Sequence, residues 1–256
     1  MPPSFKNRRF RPSVFGSLLT IAGVAGGLWL GSWQLHRADE KQALLDQFAR
    51  GQLQTLPYRA SAPQQDRPGR YQHVRVEGRY DGEHQVLLDN MPSAKGSAGF
   101  RVLTPLHIEP LNSENDRWLL VDRGWVPLGA TRADLPDVRI PSRPDVQPDV
   151  MTGRLDDLPQ PGMRLGENAV QPGDAAWPRI LSFPRHEELE RLLGRKLEPW
   201  ILLLDASEPL GFERAWGTDL GIGPPRHIAY AVQWFAMAFA MVCVFLIVSF
   251  KVEADR

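Results

Sequence analysis

His227 is the residue in this sequence best placed for coordination chemistry. It stands at the mouth of an uncharged stretch, residues 228–250, and Tyr230, Ala231 and Trp234 follow it at i+3, i+4 and i+7. In a helix those positions share one face. A neutral imidazole can give a lone pair to a metal or a haem iron, and flat aromatics beside a small residue suit the wall of a macrocycle. The same residue types also gather at membrane interfaces simply because they are amphipathic. Composition by itself favours that second reading. His36 closes the other uncharged stretch, residues 13–35, so the two imidazoles would face each other if the stretches pair as helices. Histidines 73, 84, 107 and 186 follow no ligand spacing and read as surface residues.

A second set comprises Trp33, Arg37, Arg123 and Trp125. An arginine beside a tryptophan can hold an anionic head group, a propionate or a partner carboxylate. It can equally be a snorkelling cation in an aromatic belt. Gly124, between Arg123 and Trp125, suggests a bend or a close backbone approach. Cys243 is the only cysteine, which excludes an intramolecular disulfide, and its setting between Val242 and Val244 reads as packing. No GxSxG, HExxH, phosphate-binding glycine loop or dinucleotide fingerprint occurs, so no enzyme activity is expected. Soft ligands select Cu(I), and residues 36–227 contain no cysteine, so copper delivery is not expected.

These residues need elements to hold them. Thirty basic and thirty acidic side chains cancel, which argues against coating nucleic acid. All of them lie outside residues 13–35 and 228–250, each 23 residues long. A helix of that length reaches about 34 Å, enough for a bilayer core of about 30 Å. A cleaved signal peptide would usually have a shorter apolar core, so an uncleaved anchor is favoured. Two spans put both termini on one side of the membrane. Lys6, Arg8, Arg9, Arg11, Lys251 and Arg256 place that side in the cytoplasm. The expected organisation is a tail (1–12), a span (13–35), a periplasmic domain (36–227), a span (228–250) and a tail (251–256). The short leading tail has no Arg/Ser-rich transit stretch, which points to a bacterial inner membrane.

Gly23, Gly27 and Gly31 recur every four residues, and Ala236 and Ala240 repeat the interval, a pattern that lets helices approach closely in lipid. Gln34 and Gln233 sit at matching depths and suggest an amide pair across the helices.

The charged middle reads as mainly β. Residues 38–54 have helical spacing at Leu44, Leu45 and Phe48 and continue the first span. HVRVEGRY alternates with period two, and HQVLLDN follows a short DGE turn, so the pair predicts a hairpin. GFRVLTPLHI, RWLLVDRGWVPL and VMTGRLD predict further strands. LSFPRHEELERLLGRKL predicts a helix starting near Ser182 or Phe183 and stopping at Gly194. PWILLLDAS has no wet face, as in a strand crossing the centre of a sheet. The fold class expected is two transmembrane helices flanking an α+β domain, with a small antiparallel sheet or partly open barrel of about six strands.

Four segments together resemble the Surfeit-locus family of cytochrome c oxidase assembly proteins. They are Gly31-Ser-Trp33-Gln34-Leu-His-Arg37, Val74-x-Val76-x-Gly78-x-Tyr80, Val121-Asp-Arg123-Gly124-Trp125-Val126-Pro127, and Gly223-Pro-x-x-His227-x-x-Tyr230-Ala231-x-Gln233-Trp234-Phe235. The resemblance implies an assembly factor for the haem-copper oxidase, acting on catalytic subunit I and on haem a beside other assembly factors. By position, His227 matches the candidate haem ligand of bacterial members, with Tyr230 and Trp234 beside it. The family has no general requirement for histidine where His36 stands. Gly27, Gly31, Trp33, Gln34, Arg37, Arg123, Gly124 and Gln233 remain structural or partner-binding candidates. Two other readings stay open: a cofactor-free scaffold for oxidase subunits, and a two-span periplasmic receptor.

Overall fold

A computed structural model describes residues 8–60, 62–108, 117–130, 134–141, 149–160, 176–217 and 222–252. Lys6 and Arg256, and most of the Pro-rich stretches expected as loops, lie outside the described residues. Along the chain run β1 (Arg8–Phe10), α1 (Val14–Gly51), β2 (Thr55–Pro57), a 3-10 turn (Gln64–Asp66), β3 (His73–Tyr80) and β4 (Val86–Pro92). Then come β5 (Ala98–Ile108), β6 (Trp118–Pro127), β7 (Asp149–Asp156), β8 (Arg179–Leu181), α2 (His186–Leu193), β9 (Leu197–Leu204), α3 (Pro224–Ser249) and β10 (Phe250–Val252). Two compact units result: residues 1–46 with 218–256, and residues 47–217.

The first unit holds the long apolar helices. Both α1 and α3 are long and apolar enough to cross a membrane. In each, only 11% of the most apolar window is buried, whereas the core helix of a soluble protein hides its apolar side chains. Val14, Phe239 and Ile247 stand 68–78% exposed. Such surface suits contact with lipid, where a helix satisfies every backbone group internally. At the terminal end, β1 and β10 form an antiparallel ribbon with Arg9 opposite Lys251 and Phe10 opposite Phe250.

The second unit is an eight-stranded sheet in the order β2-β3-β7-β9-β6-β5-β4-β8. An additional antiparallel pairing of β3 with β5 joins Gly78 to Ile108 and Tyr80 to Leu106. This closes strands β3, β7, β9, β6 and β5 into a five-stranded barrel, with β2, β4 and β8 outside the ring. The β-rich unit between two apolar helices is the expected class. The all-antiparallel expectation is corrected: β2–β3, β4–β8 and β6–β9 run parallel, so the sheet is mixed.

The core explains the strand patterns. Val74 and Val76 of β3 are fully buried inside the barrel with Leu106, Val121, Leu155, Leu202 and Leu204. The intervening Arg75 and Glu77 are exposed. In β9, Ile201 and Leu203 leave on the opposite face and pack with Leu189 of α2. Both faces of β9 are therefore covered, which is why its sequence shows no alternation. It lies fourth among the eight strands, between β7 and β6.

The expected hairpin of β3 and β4 does not form. The Asp81 carboxylate accepts from the Glu83 and His84 backbone amides and pairs with Arg195, turning the chain away after β3. The eleven-residue β5 then takes both strands, β4 along its first half and β3 along its last three residues. Periodicity assigns faces, and this long shared partner was invisible to it. Helix α2 begins later than expected, after the N-cap Arg185, because Arg179–Leu181 pairs with β4 as β8. Its end at Gly194 is as expected, in the left-handed conformation with φ 67°.

Candidate functional site

Two prolines set up the start of α3. Pro224 and Pro225 follow the N-cap Gly223 and occupy positions whose N–H groups would have no helical partner. His227 falls in the first turn, and its Nδ1 lies 2.7 Å from Oε1 of Gln34 on α1. The amide oxygen only accepts, so Nδ1 carries the proton and donates. A neutral imidazole bonded this way presents its Nε2 lone pair, as when an outer partner orients a ligating imidazole. Gln34 thus bonds His227, not Gln233, and Gln233 is exposed; the expected amide pair is corrected. His36 is 73% exposed and reaches Glu40 at 3.3 Å, so the two histidines take different partners. Tyr230 is 40% exposed, Trp234 is half-buried and Ala231 is fully buried.

The helices approach through the glycine face. A Cβ on Gly27 would stand 3.0 Å from Cβ of Ala238 and 3.2 Å from the carbonyl oxygen of Trp234. Phe235 covers Gly31, and Met241 covers Gly23. The opposing small residues are Ala231 and Ala238, both buried, whereas Ala236 and Ala240 are exposed. The expected Ala236/Ala240 seam is corrected. The seven-residue interval of Ala231 and Ala238 is the one that keeps to the contact face.

A family model described as the SURF1 family matches residues 21–239, from α1 through the barrel into α3. This chain belongs to the SURF1 family. No curated protein matches it. The SURF1 family is associated with cytochrome c oxidase assembly and is not known as catalytic.

The remaining expected residues divide between the units of this SURF1 family member. On α1, the Arg37 guanidinium lies 5.7 Å from the Trp33 ring and 2.7 Å from Glu40. That hydrogen bond holds the Glu40 carboxyl below its ordinary value. In the barrel, Arg123 is 2% exposed. It donates to the carbonyl oxygens of Leu210 (2.7 Å) and Val138 (2.8 Å) and to the Gln85 amide oxygen (2.9 Å), beside the Phe212 ring. Burial closes it to a head group, a propionate or a partner. A β-bulge aims it inward: Arg101 opposes Trp125 while Leu103 opposes Asp122, leaving Arg123 and Gly124 opposite Val102 alone. Gly124 has φ +112°, and a Cβ there would stand 2.6 Å from the Glu213 carbonyl oxygen. Asp122 is fully buried; burial pushes its carboxyl up although Arg101 and the Gly124 amide oppose this.

The barrel also uses residues that had read as surface. His73 donates from Nε2 to Asp205 (2.6 Å) and meets the Thr55 hydroxyl at Nδ1 (2.8 Å). His84 donates to Asp81 (2.8 Å), and the His107 ring packs on Trp118 at 4.8 Å. Glu198, 1% exposed, accepts from the Tyr58 hydroxyl (2.8 Å) and from Arg67 (3.2 Å). Its only sequence signal is a carboxylate inside an otherwise apolar strand.

Proposed function

We propose that this protein handles haem a during maturation of the haem-copper oxidase, holding the iron through Nε2 of His227 and passing the cofactor to catalytic subunit I. The observation that carries this reading is the 2.7 Å bond from His227 Nδ1 to Gln34. A neutral imidazole donating to Gln34 presents Nε2 for ligation, and the bond ties it to a second helix. Among the described residues no three His, Cys, Asp or Glu side chains are grouped to hold a bare metal ion. A lone imidazole suits an iron that brings its other ligands in a macrocycle. Haem a supplies the redox-active iron that the oxidase requires, and this chain supplies binding and orientation without turnover. The half-buried Trp234 and partly exposed Tyr230 offer ring faces beside the histidine. The setting we infer is a bacterial inner membrane with the barrel in the periplasm. Arg8, Arg9, Arg11 and Lys251 at the terminal end support that orientation.

The test is a visible absorption spectrum of full-length protein purified in detergent from cells that make haem a. A haem band is expected, and it should weaken at least tenfold in His227→Ala. An unchanged band removes His227 as the ligand. A cofactor-free scaffold is favoured by the same bond read as an interhelical clasp. It requires co-purification of oxidase subunits that survives His227→Ala and is lost when Gly27 is made bulky.

A further inference from the structure

We propose that the terminal end of the helix pair binds one anionic phospholipid, its phosphate between Arg11 and Lys251 and an acyl chain between α1 and α3. A cavity of about 610 Å³ lies there, within the roughly 300–1,000 Å³ of ligand sites. Leu19, Met241, Val244 and Val248 wall it, and Arg11 and Lys251 also line it. Two of the lining hydroxyls are engaged with the backbone of α1. Ser13 Oγ accepts from the Gly16 amide (3.0 Å), and the Thr20 hydroxyl donates to the Gly16 carbonyl (2.8 Å). Gly16 and Ala240 contribute no bulk, and Met237 and Met241 are unbranched and adapt to a flexible chain.

The cations are held in place by the fold. The Arg11 amide donates to the Ser249 carbonyl at 2.8 Å, continuing the ribbon that sets Arg9 opposite Lys251. The Phe10 ring packs across the ribbon on Phe250 (5.4 Å) and anchors it on Phe245 of α3 (6.3 Å). Exposed cations beside an apolar slot, where two apolar helices emerge, complement a phosphate that carries a fatty tail. A zwitterionic head group brings its own cation and gains less. The proposal rests on α1 and α3 lying in a bilayer, and it is independent of haem.

Native mass spectrometry of the full-length protein in detergent tests it, with phosphatidylglycerol and phosphatidylcholine of identical chains added in turn. Phosphatidylglycerol should be retained about thirty-fold better, the size that two such cations give at a lipid surface. The double variant R11Q/K251Q should bring it down to the level of phosphatidylcholine. Ala240→Phe fills the cavity without changing charge and should weaken retention of both lipids. Equal retention of the two lipids by the unaltered protein overturns the proposal. Wild-type retention by A240F also overturns it, because a basic surface without a groove would behave that way. Displacement by an equal concentration of inorganic phosphate would show that the head group alone is bound, and overturns the lipid assignment.

Discussion

The helix pair and the barrel treat buried polarity in opposite ways. The barrel buries Arg123, Asp122, Glu198 and Arg154 and surrounds the first three with several internal partners each. Between α1 and α3 a single side-chain hydrogen bond crosses among the described residues, from His227 to Gln34. Asp122 Oδ2 and Glu198 Oε1 accept no hydrogen bond, but each faces an arginine, Arg101 and Arg117, inside a wall sealed from solvent, so these barrel charges are structural. An imidazole tied through one nitrogen keeps the other for chemistry. Access to the free atom therefore separates scaffold from candidate site better than residue type does: His227 is only part-buried, whereas Asp122 and Glu198 are sealed.

Arg123→Ala tests that contrast with the largest effect. It strips the donors from Leu210, Val138 and Gln85 in a sealed interior. Leaving such neutral buried acceptors unpaired costs about 1–3 kcal/mol each, on the order of 10 °C in the melting temperature of a unit this size. Near-ultraviolet circular dichroism on heating reads it. A fall of only a degree or two would mean that Arg123 is not what holds the bulge.

Gly27→Leu comes next, with Gly26→Leu as its internal control. Gly27 faces Ala238 at 3.0 Å, whereas a Cβ on Gly26 meets nothing within 4 Å. Overpacking costs about 1–3 kcal/mol, so G27L should loosen the helix pair and G26L should leave it unchanged. Cysteines placed on α1 and α3 and cross-linked in detergent would report this. Equal cross-linking in both variants would mean that the glycine face carries no packing.

A smaller effect is expected from acid. Burial favours the protonated form of Asp81, but the hydrogen bonds from Arg195 and His84 outweigh it and hold its carboxyl below the ordinary 3.8. A depressed acid stabilises the fold above its unfolded value. That contribution disappears as pH falls through the lower, folded value. The barrel should therefore lose stability as pH falls below about 4, and Asp81→Asn should flatten that part of the profile. An identical profile in the variant would remove Asp81 from the account.

Legibility from sequence divides along the same line as buried polarity. The apolar helices, the glycine face and the strand faces follow from composition and period, because lipid and a one-sided core each impose a simple rule. The strand order does not. The β3–β5 closure joins residues 78 and 108 through backbone bonds that any side chain could make. Arg123 reads as an anion holder or a snorkelling cation because nothing in the letters marks a β-bulge except the neighbouring Gly124. Gln34 was visible as a polar residue near the end of a span, yet its partner was assigned to Gln233. His227 lies in the first turn of α3 and Gln233 six residues further on, and helical rotation and depth, which the sequence leaves open, decide between them.

The smallest expected change carries the sharpest decision. Gln34→Ala removes one hydrogen bond between apolar helices, and such bonds average about 0.6 kcal/mol. Helix cross-linking and the melting temperature should hardly move, well short of the change in G27L. The bond that orients His227 is lost at the same time, so the haem band of the purified protein should shift or weaken. That split, a spectral change without a packing change, is what an orienting partner produces and a clasp does not. If Q34A instead loosens the helices as much as G27L and leaves the spectrum alone, the bond is structural. The helix pair then buries its polarity as the barrel does, and the scaffold reading takes precedence.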